Sequence, residues 1–240
     1  MKFFLHLKKQ RIDVVFAMLC LSLLSAFAQE LVDYKLNVQN FSELVVVDGI
    51  NVDYYCSEDS CGWAHFTTTP ELASQIMFSN NKERLTIQTA ADGEPIAGMP
   101  KVTVYSAKLT KIENTGDSTL HIYSLKDVDK LRVRQIDSGK TIVDSISCRE
   151  LNASLAAGKG YVNLGGNAES AKFTNMSSGL LDADDLKVEK ATCFLVGPGR
   201  IECNASKITV RGAGPGTVLY QGGNKLTNQS IGVKIVERNE

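Results

Sequence analysis

Four carboxylates, Asp182, Asp184, Asp185 and Glu202, fall close together in the second half of the chain, with Arg200 just before Glu202. Clustered carboxylates can hold calcium, which takes about six to eight oxygen ligands. Beside a basic group they can also work as an acid–base pair on a polysaccharide. Neither chemistry finds its full signature. There is no Asp-x-Asp-x-Asp-Gly loop and no Cys-x-x-Cys pair for zinc. Beyond the first residues the only histidines are His65 and His121, and neither sits in a nucleophile motif. The string Gly212-Ala213-Gly214-Pro215-Gly216 lacks the Lys-Ser/Thr ending of a phosphate loop and reads as a turn. No catalytic residue, metal ligand or cofactor is therefore assigned. The acidic patch is read as a solvated surface whose binding candidates are Tyr161, Asn163, Asp182, Arg200 and Glu202.

What must position these residues is a repeat. Turns ending at Gly139, Gly160, Gly179, Gly199 and Gly216 recur at intervals of 21, 19, 20 and 17 residues, each followed by strand-type apolar pairs. A period near 20 with strand chemistry predicts a solenoid in which each repeat is one coil. Strand alternation then points Val162, Leu181, Ile201 and Val218 inward, followed two residues later by Leu164, Ala183, Cys203 and Tyr220. Ile142 joins the inward set with a one-residue shift, which leaves Val143 outward. The outward positions include Tyr161 and Arg200 on one line and Asn163, Asp182 and Glu202 on the next. Each glycine is expected at a corner that needs a left-handed or otherwise Cβ-intolerant backbone.

Residues 29–110 read differently, as irregularly spaced antiparallel strands. Leu44–Val47 leads through Asp48-Gly49, a tight-turn signal, into a strand with Ile50, Val52 and Tyr54 on one face. Thr69-Pro70 is an N-cap followed by proline and predicts one short helix. Asp92–Pro95 reads as a further turn. Trp63, with Tyr54, Tyr55 and Phe66 nearby, is expected in the core, the alternative being exposed rings that stack on sugars, and Tyr161 on the outward ladder is the other ring platform. The expected architecture is all-β: a right-handed parallel β-helix-like solenoid over 111–240, ending in a cap and beginning near residue 112, with an N-terminal antiparallel β region over 29–110.

Residues 1–28 have the form of an export signal, with Lys2, Lys8, Lys9 and Arg11 before an apolar stretch from Val14 to Leu24 and small residues at Ala26 and Ala28. Removing them takes away four basic residues and one acidic one, leaving 22 basic against 26 acidic and a net charge of −4. A mildly acidic product has no general electrostatic grip on nucleic acid. No further membrane span is expected. Cys56, Cys61, Cys148, Cys193 and Cys203 remain, and Cys56 and Cys61, bracketing a polar loop, are the candidates for a local bridge in an oxidising compartment.

The chain resembles the putative auto-transporter adhesin head GIN domain family of Gram-negative bacteria. The resemblance rests on Gly49-Ile50-Asn51 after the Phe41-x-x-Leu44 strand, on the run from Pro100 to Leu109, on the recurrent Gly-x-Gly turns and on the closing run from Gly214 to Gly222. It implies a β-helical, exported protein, in the periplasm, on the outer-membrane surface or outside the cell, and it implies no catalytic residues. The expected function is non-enzymatic binding of a glycan or of an envelope or host-surface protein, with oligomerisation left open. A periplasmic structural or assembly element is the first alternative and a polysaccharide-active enzyme the second.

Overall fold

The computed structural model describes residues 30–90 and 96–238. The expected export signal and the Asp92–Pro95 turn lie outside the described residues. In chain order the strands are β1 (Val32–Asn37), β2 (Glu43–Val47), β3 (Val52–Cys56), β4 (Trp63–Thr68), β5 (Ile76–Asn81), β6 (Arg84–Thr89), β7 (Val102–Ser106), β8 (Lys111–Thr115) and β9 (Thr119–Ile122). The long strands β10 (Leu125–Ile136), β11 (Lys140–Leu155), β12 (Tyr161–Asn175), β13 (Leu180–Val196) and β14 (Arg200–Ala213) follow, then β15 (Thr217–Gln221), β16 (Lys225–Ile231) and β17 (Lys234–Glu237). The predicted helix is present as α1 (Pro70–Ala73), with Thr69 Oγ1 accepting from the Leu72 N–H at 3.4 Å.

The strands form a three-faced β-solenoid of about six turns within Asp33–Glu240. Parallel pairing on the first face runs β6–β2–β8, through the later parts of β10 to β14, and ends on β16. The second face runs β7–β3–β9, through the opening parts of β11 to β14, and ends on β15 and β17. A third face joins the early part of β10 to the middles of β11, β12, β13 and β14. Antiparallel pairing joins β4 to β7 and β5 to β6.

Two readings of the sequence need correction. The stack does not begin near residue 112, because β2, β3, β6 and β7 are themselves parallel rungs of it. The Asp48-Gly49 turn joins two faces of one coil and does not fold β2 back on β3. A corner and a hairpin use the same turn vocabulary, and only the pairing partner separates them. Second, Ile142 is not shifted inward. Thr141 pairs with Val162 and Val143 with Leu164, and both Thr141 and Val143 are buried. The strict glycine register holds through this coil, and a buried threonine disguised it. All eight later positions expected inward are buried.

The corner glycines act as proposed, but by contact with the adjacent coil and not by a left-handed backbone. A Cβ on Gly179 would lie 2.1 Å from the Gly160 carbonyl oxygen, and one on Gly160 2.4 Å from that of Asp137. At four of the five corners left-handed φ belongs to the residue two places earlier: Asp137 at 65°, Gly158 at 70°, Gly197 at 97° and Gly214 at 122°, with Ser177 before Gly179 the exception. The Gly-x-Gly string thus splits two tasks, turning the chain and letting coils approach.

Polar groups trapped inside the corners are satisfied by buried amides. Asn175 Nδ2 donates to the carbonyls of Gly179 at 3.0 Å and Arg200 at 2.9 Å, while its Oδ1 accepts from the Ser177 N–H at 2.9 Å. Asn114 Nδ2 does the same for Ser118 and Lys140 and also reaches Gln135 Oε1 at 3.0 Å. Each side chain ties one coil to the next at a point where backbone pairing is interrupted.

Candidate functional site

The outward side of the second face carries the chemistry. Its two ladders nearest the glycine corner place Tyr161, Leu180, Arg200 and Thr217 in register, and beside them Asn163, Asp182, Glu202 and Leu219. The five residues singled out from the sequence are therefore brought onto one surface, in successive coils about 4.8 Å apart.

Asp184 joins them through an irregularity. Between Ala183 and Lys187 three residues of β13 have no partner on β14, where Cys203 and Asn204 are consecutive. Of the three, Leu186 is buried in the core while Asp184 and Asp185 stay outside it, and together they form an unpaired insertion of the kind that bends a strand. It sets Asp184 so that its N–H donates to Asp182 Oδ1 at 3.3 Å and its carbonyl accepts from Gln221 Nε2 at 3.2 Å. Tyr161 donates its hydroxyl to Asp182 Oδ2 at 3.1 Å.

Carboxylate oxygens of Asp182, Asp184 and Glu202 all lie within 4.8 Å of one another. Their mutual repulsion is offset by guanidinium groups. Arg238, just beyond β17, bridges Asp184 and Glu202, and Arg200 Nη1 lies 3.2 Å from Glu202 Oε1. Glu202 is only 6% exposed. Burial pushes its carboxyl above the ordinary value, the Arg200 cation opposes this, and the Asp182 charge adds to it. Burial and the Asp182 carboxylate push the Tyr161 phenol up to about 12, so it stays a donor at neutral pH. A cation entering here would have to displace a guanidinium already bound, so the cluster reads as an ion-pair network. Asp185 is exposed and makes no ion pair among the described residues.

The other half of this face holds a tyrosine column; the sequence reading places Tyr55 in the aromatic group around Trp63 but does not align it with Tyr105 and Tyr123. Tyr105, Tyr55 and Tyr123 stack in adjacent rungs, with ring centroids 5.8 Å apart from Tyr105 to Tyr55 and 4.4 Å from Tyr55 to Tyr123. His121 packs 4.1 Å from Tyr123 and meets Asp144 Oδ2 at 2.8 Å. Tyr55 is 38% exposed. A hydrogen bond with Tyr55, some burial and the Asp53 carboxylate push the Tyr123 phenol up to about 12. A signal for the column exists in the sequence: Val52-x-Tyr54-Tyr55, Val102-x-Val104-Tyr105 and Leu120-x-Ile122-Tyr123 all read apolar-x-apolar-Tyr. Tyr54, by contrast, is fully buried, with its hydroxyl 2.9 Å from Ser106 Oγ.

Trp63, expected in the core, stands opposite Tyr105 on the outer side, with Lys35 Nζ 4.7 Å from its ring centroid. Cys56 and Cys61 are free thiols, and Cys56 Sγ donates to the Ala107 carbonyl at 3.3 Å. Cys193 and Cys203 face each other in the core with sulfurs 3.7 Å apart.

A parallel solenoid with turn glycines locked against the neighbouring coil and a flat polar-aromatic face defines a class of surface-presenting scaffolds. Residues 40–223 match the family described as putative auto-transporter adhesin, head GIN domain, and the chain belongs to that family. Among solved structures it is similar to a putative adhesin from Bacteroides fragilis (TM-score 0.76, 21% identity, 89% of this chain and 98% of that one). It is also similar to a putative lipid binding protein from Parabacteroides distasonis (0.70, 17%, 88% and 98%) and to a putative adhesin from Parabacteroides merdae (0.70, 19%, 88% and 98%). At these identities the likeness concerns the fold. No curated protein matches the chain.

Proposed function

We propose that this is an exported, non-enzymatic binding module of the cell envelope that holds an extended glycan along the outward side of its second face. The observation that carries the reading is the tyrosine column, continued on the same face by the Tyr161, Asn163, Asp182, Arg200 and Glu202 ladders. Stacked tyrosines have already surrendered their rotamer freedom, so contact with them costs little further ordering. They present ring edges and hydroxyls in a straight line. Hydroxyls, carboxylates and guanidinium groups at strand spacing offer donors and acceptors to the repeating hydroxyls of a sugar chain, and many weak contacts sum along its length. Guanidinium pairing of the carboxylates favours holding over turnover, since an acid–base pair needs groups free to exchange protons. The family's adhesin name supports an exported binding role. A lipid-binding name on one similar structure supplies a competing ligand for the test.

Retention of neutral hexaoses of glucose, mannose, xylose and N-acetylglucosamine on the immobilised protein tests the reading. At least one hexaose is expected to bind, and Tyr55→Ala with Tyr123→Ala is expected to weaken it about two- to tenfold per ring, equivalent to about 0.5–1.5 kcal/mol. Binding of phospholipid vesicles or of an envelope protein in place of every hexaose would overturn the glycan assignment.

A further inference from the structure

A second charged feature lies on a different surface, where the third face turns into the first. In the outward column there, Lys190 pairs in register with Lys207 and Lys207 with Lys225. Arg132 and Lys172 stand on the adjoining outward column, two coils apart, with Asn152 between them. All five are exposed, and none makes an ion pair among the described residues. Of the acids nearby, Glu43 is held by Arg84 and Lys111 and Glu150 by Lys130 and Arg149, while Glu169 and Glu189, one residue before Ser170 and Lys190, line a separate groove on the third face. A cleft of about 720 Å³ runs along this corner, lined by Arg132, Lys172 and Lys190 with the ion-paired Glu43 and Glu150 and with Asn152 and Ser170, and Lys207 and Lys225 continue the lysine column beyond it.

Like charges placed directly opposite one another in a sheet repel. Lysine on a sheet edge deters strand pairing, but that explains only Lys225 on the terminal β16, because Lys190 and Lys207 sit inside the stack. The chain as a whole carries a net charge of −1, so the stripe is a local concentration of positive charge and not a reflection of composition.

We propose that this corner is a binding site for a linear acidic polysaccharide lying along the solenoid axis. Over Lys190, Lys207 and Lys225 cations repeat about every 4.8 Å along the axis, as strand spacing dictates, and so match a polymer that carries an anion on each sugar, while Arg132 and Lys172 add cations at twice that spacing on the adjoining column. The hydroxyl and amide side chains in the cleft are suited to the sugar hydroxyls between the anions. No aromatic side chain lines the cleft among the described residues, so nucleobases find no stacking platform. The apolar residues at this corner, Leu131, Leu151 and Ala171, are buried in the core, so nothing is presented for insertion into a lipid surface.

The test is a titration of the full chain with oligogalacturonates of increasing length at about 50 and about 300 mM salt, where screening of exposed charges differs strongly. Binding is expected to tighten with each added unit up to about five and to weaken at the higher salt. The triple substitution Lys190→Gln, Lys207→Gln, Lys225→Gln is expected to reduce it at least about tenfold without lowering the melting temperature. The charge-matched control Lys82→Gln, Lys126→Gln, Lys159→Gln is expected to retain it. Absence of binding at low salt, equal loss in the control, or equal affinity for anionic vesicles or single-stranded oligonucleotides of the same charge would overturn the proposal. The neutral hexaoses of the second-face reading are a different probe on a different face, so either reading can fail while the other stands.

Discussion

At the scale of single residues, the fold depends on a few positions where a side chain is either forbidden or required. Gly179→Ala should destabilise the protein by about 1–3 kcal/mol, because the new methyl group overlaps the Gly160 carbonyl. Gly49→Ala, with open space around it, should stay within about 1 kcal/mol of wild type in the same urea titration. Asn175→Leu is the complementary case. Leu155 and Leu195 occupy the same ladder position in the neighbouring coils, so the shape fits, but the corner groups of Ser177, Gly179 and Arg200 lose their partner, at a cost of about 1–3 kcal/mol. Equal stability of Asn175→Leu and wild type would contradict the role assigned to the buried amides. Protonation follows from the same local view. Glu202 is raised by burial, so its contribution favours the folded state below the unfolded carboxyl value and is lost as pH rises through the folded one. Asp33, held down chiefly by the His65 hydrogen bond, and Glu43, held down chiefly by Arg84, act in the opposite sense, their contributions being lost as pH falls. Arg200→Gln should move the Glu202 titration further upward, as read by carboxyl carbon NMR, and an unchanged titration would contradict the ion-pair assignment.

At the scale of elements, the later coils were legible because one glycine per turn marks the phase, and Val162, Leu181, Ile201 and Val218 follow it at a constant offset. The first coils were not legible for a physical reason. The chain lays β2 and β3 down, leaves for β4, α1 and β5, and returns with β6 and β7 on the outer side of them, so rungs adjacent in space are separated by an excursion that breaks the period. The acidic ladder was visible because its residues sit at repeat positions, whereas Arg238, which bridges it, lies outside the repeat and gave no sign. The tyrosine column was readable in principle but falls in the aperiodic part. Rungs supported on both sides by all three faces should open least. Hydrogen exchange should therefore find the amides of β12 and β13 the most protected and those of β16 and β17 the least, and uniform protection along the stack would contradict it.

At the scale of the whole molecule, the solenoid converts a one-dimensional repeat into flat, rigid surfaces, and its interior is committed to packing. Function is thereby confined to outward columns, one of which pairs tyrosines with carboxylates and arginines while another collects unpaired lysines. The central claim is that the second face receives the ligand. It is tested most directly by ring-labelling the tyrosines and titrating the protein with the best-retained neutral hexaose under NMR observation. The account predicts that the signals of Tyr55, Tyr105 and Tyr123 move together at saturable concentrations while those of buried Tyr54 and Tyr220 stay in place. Saturable binding that leaves all three rings of the column unperturbed would contradict it.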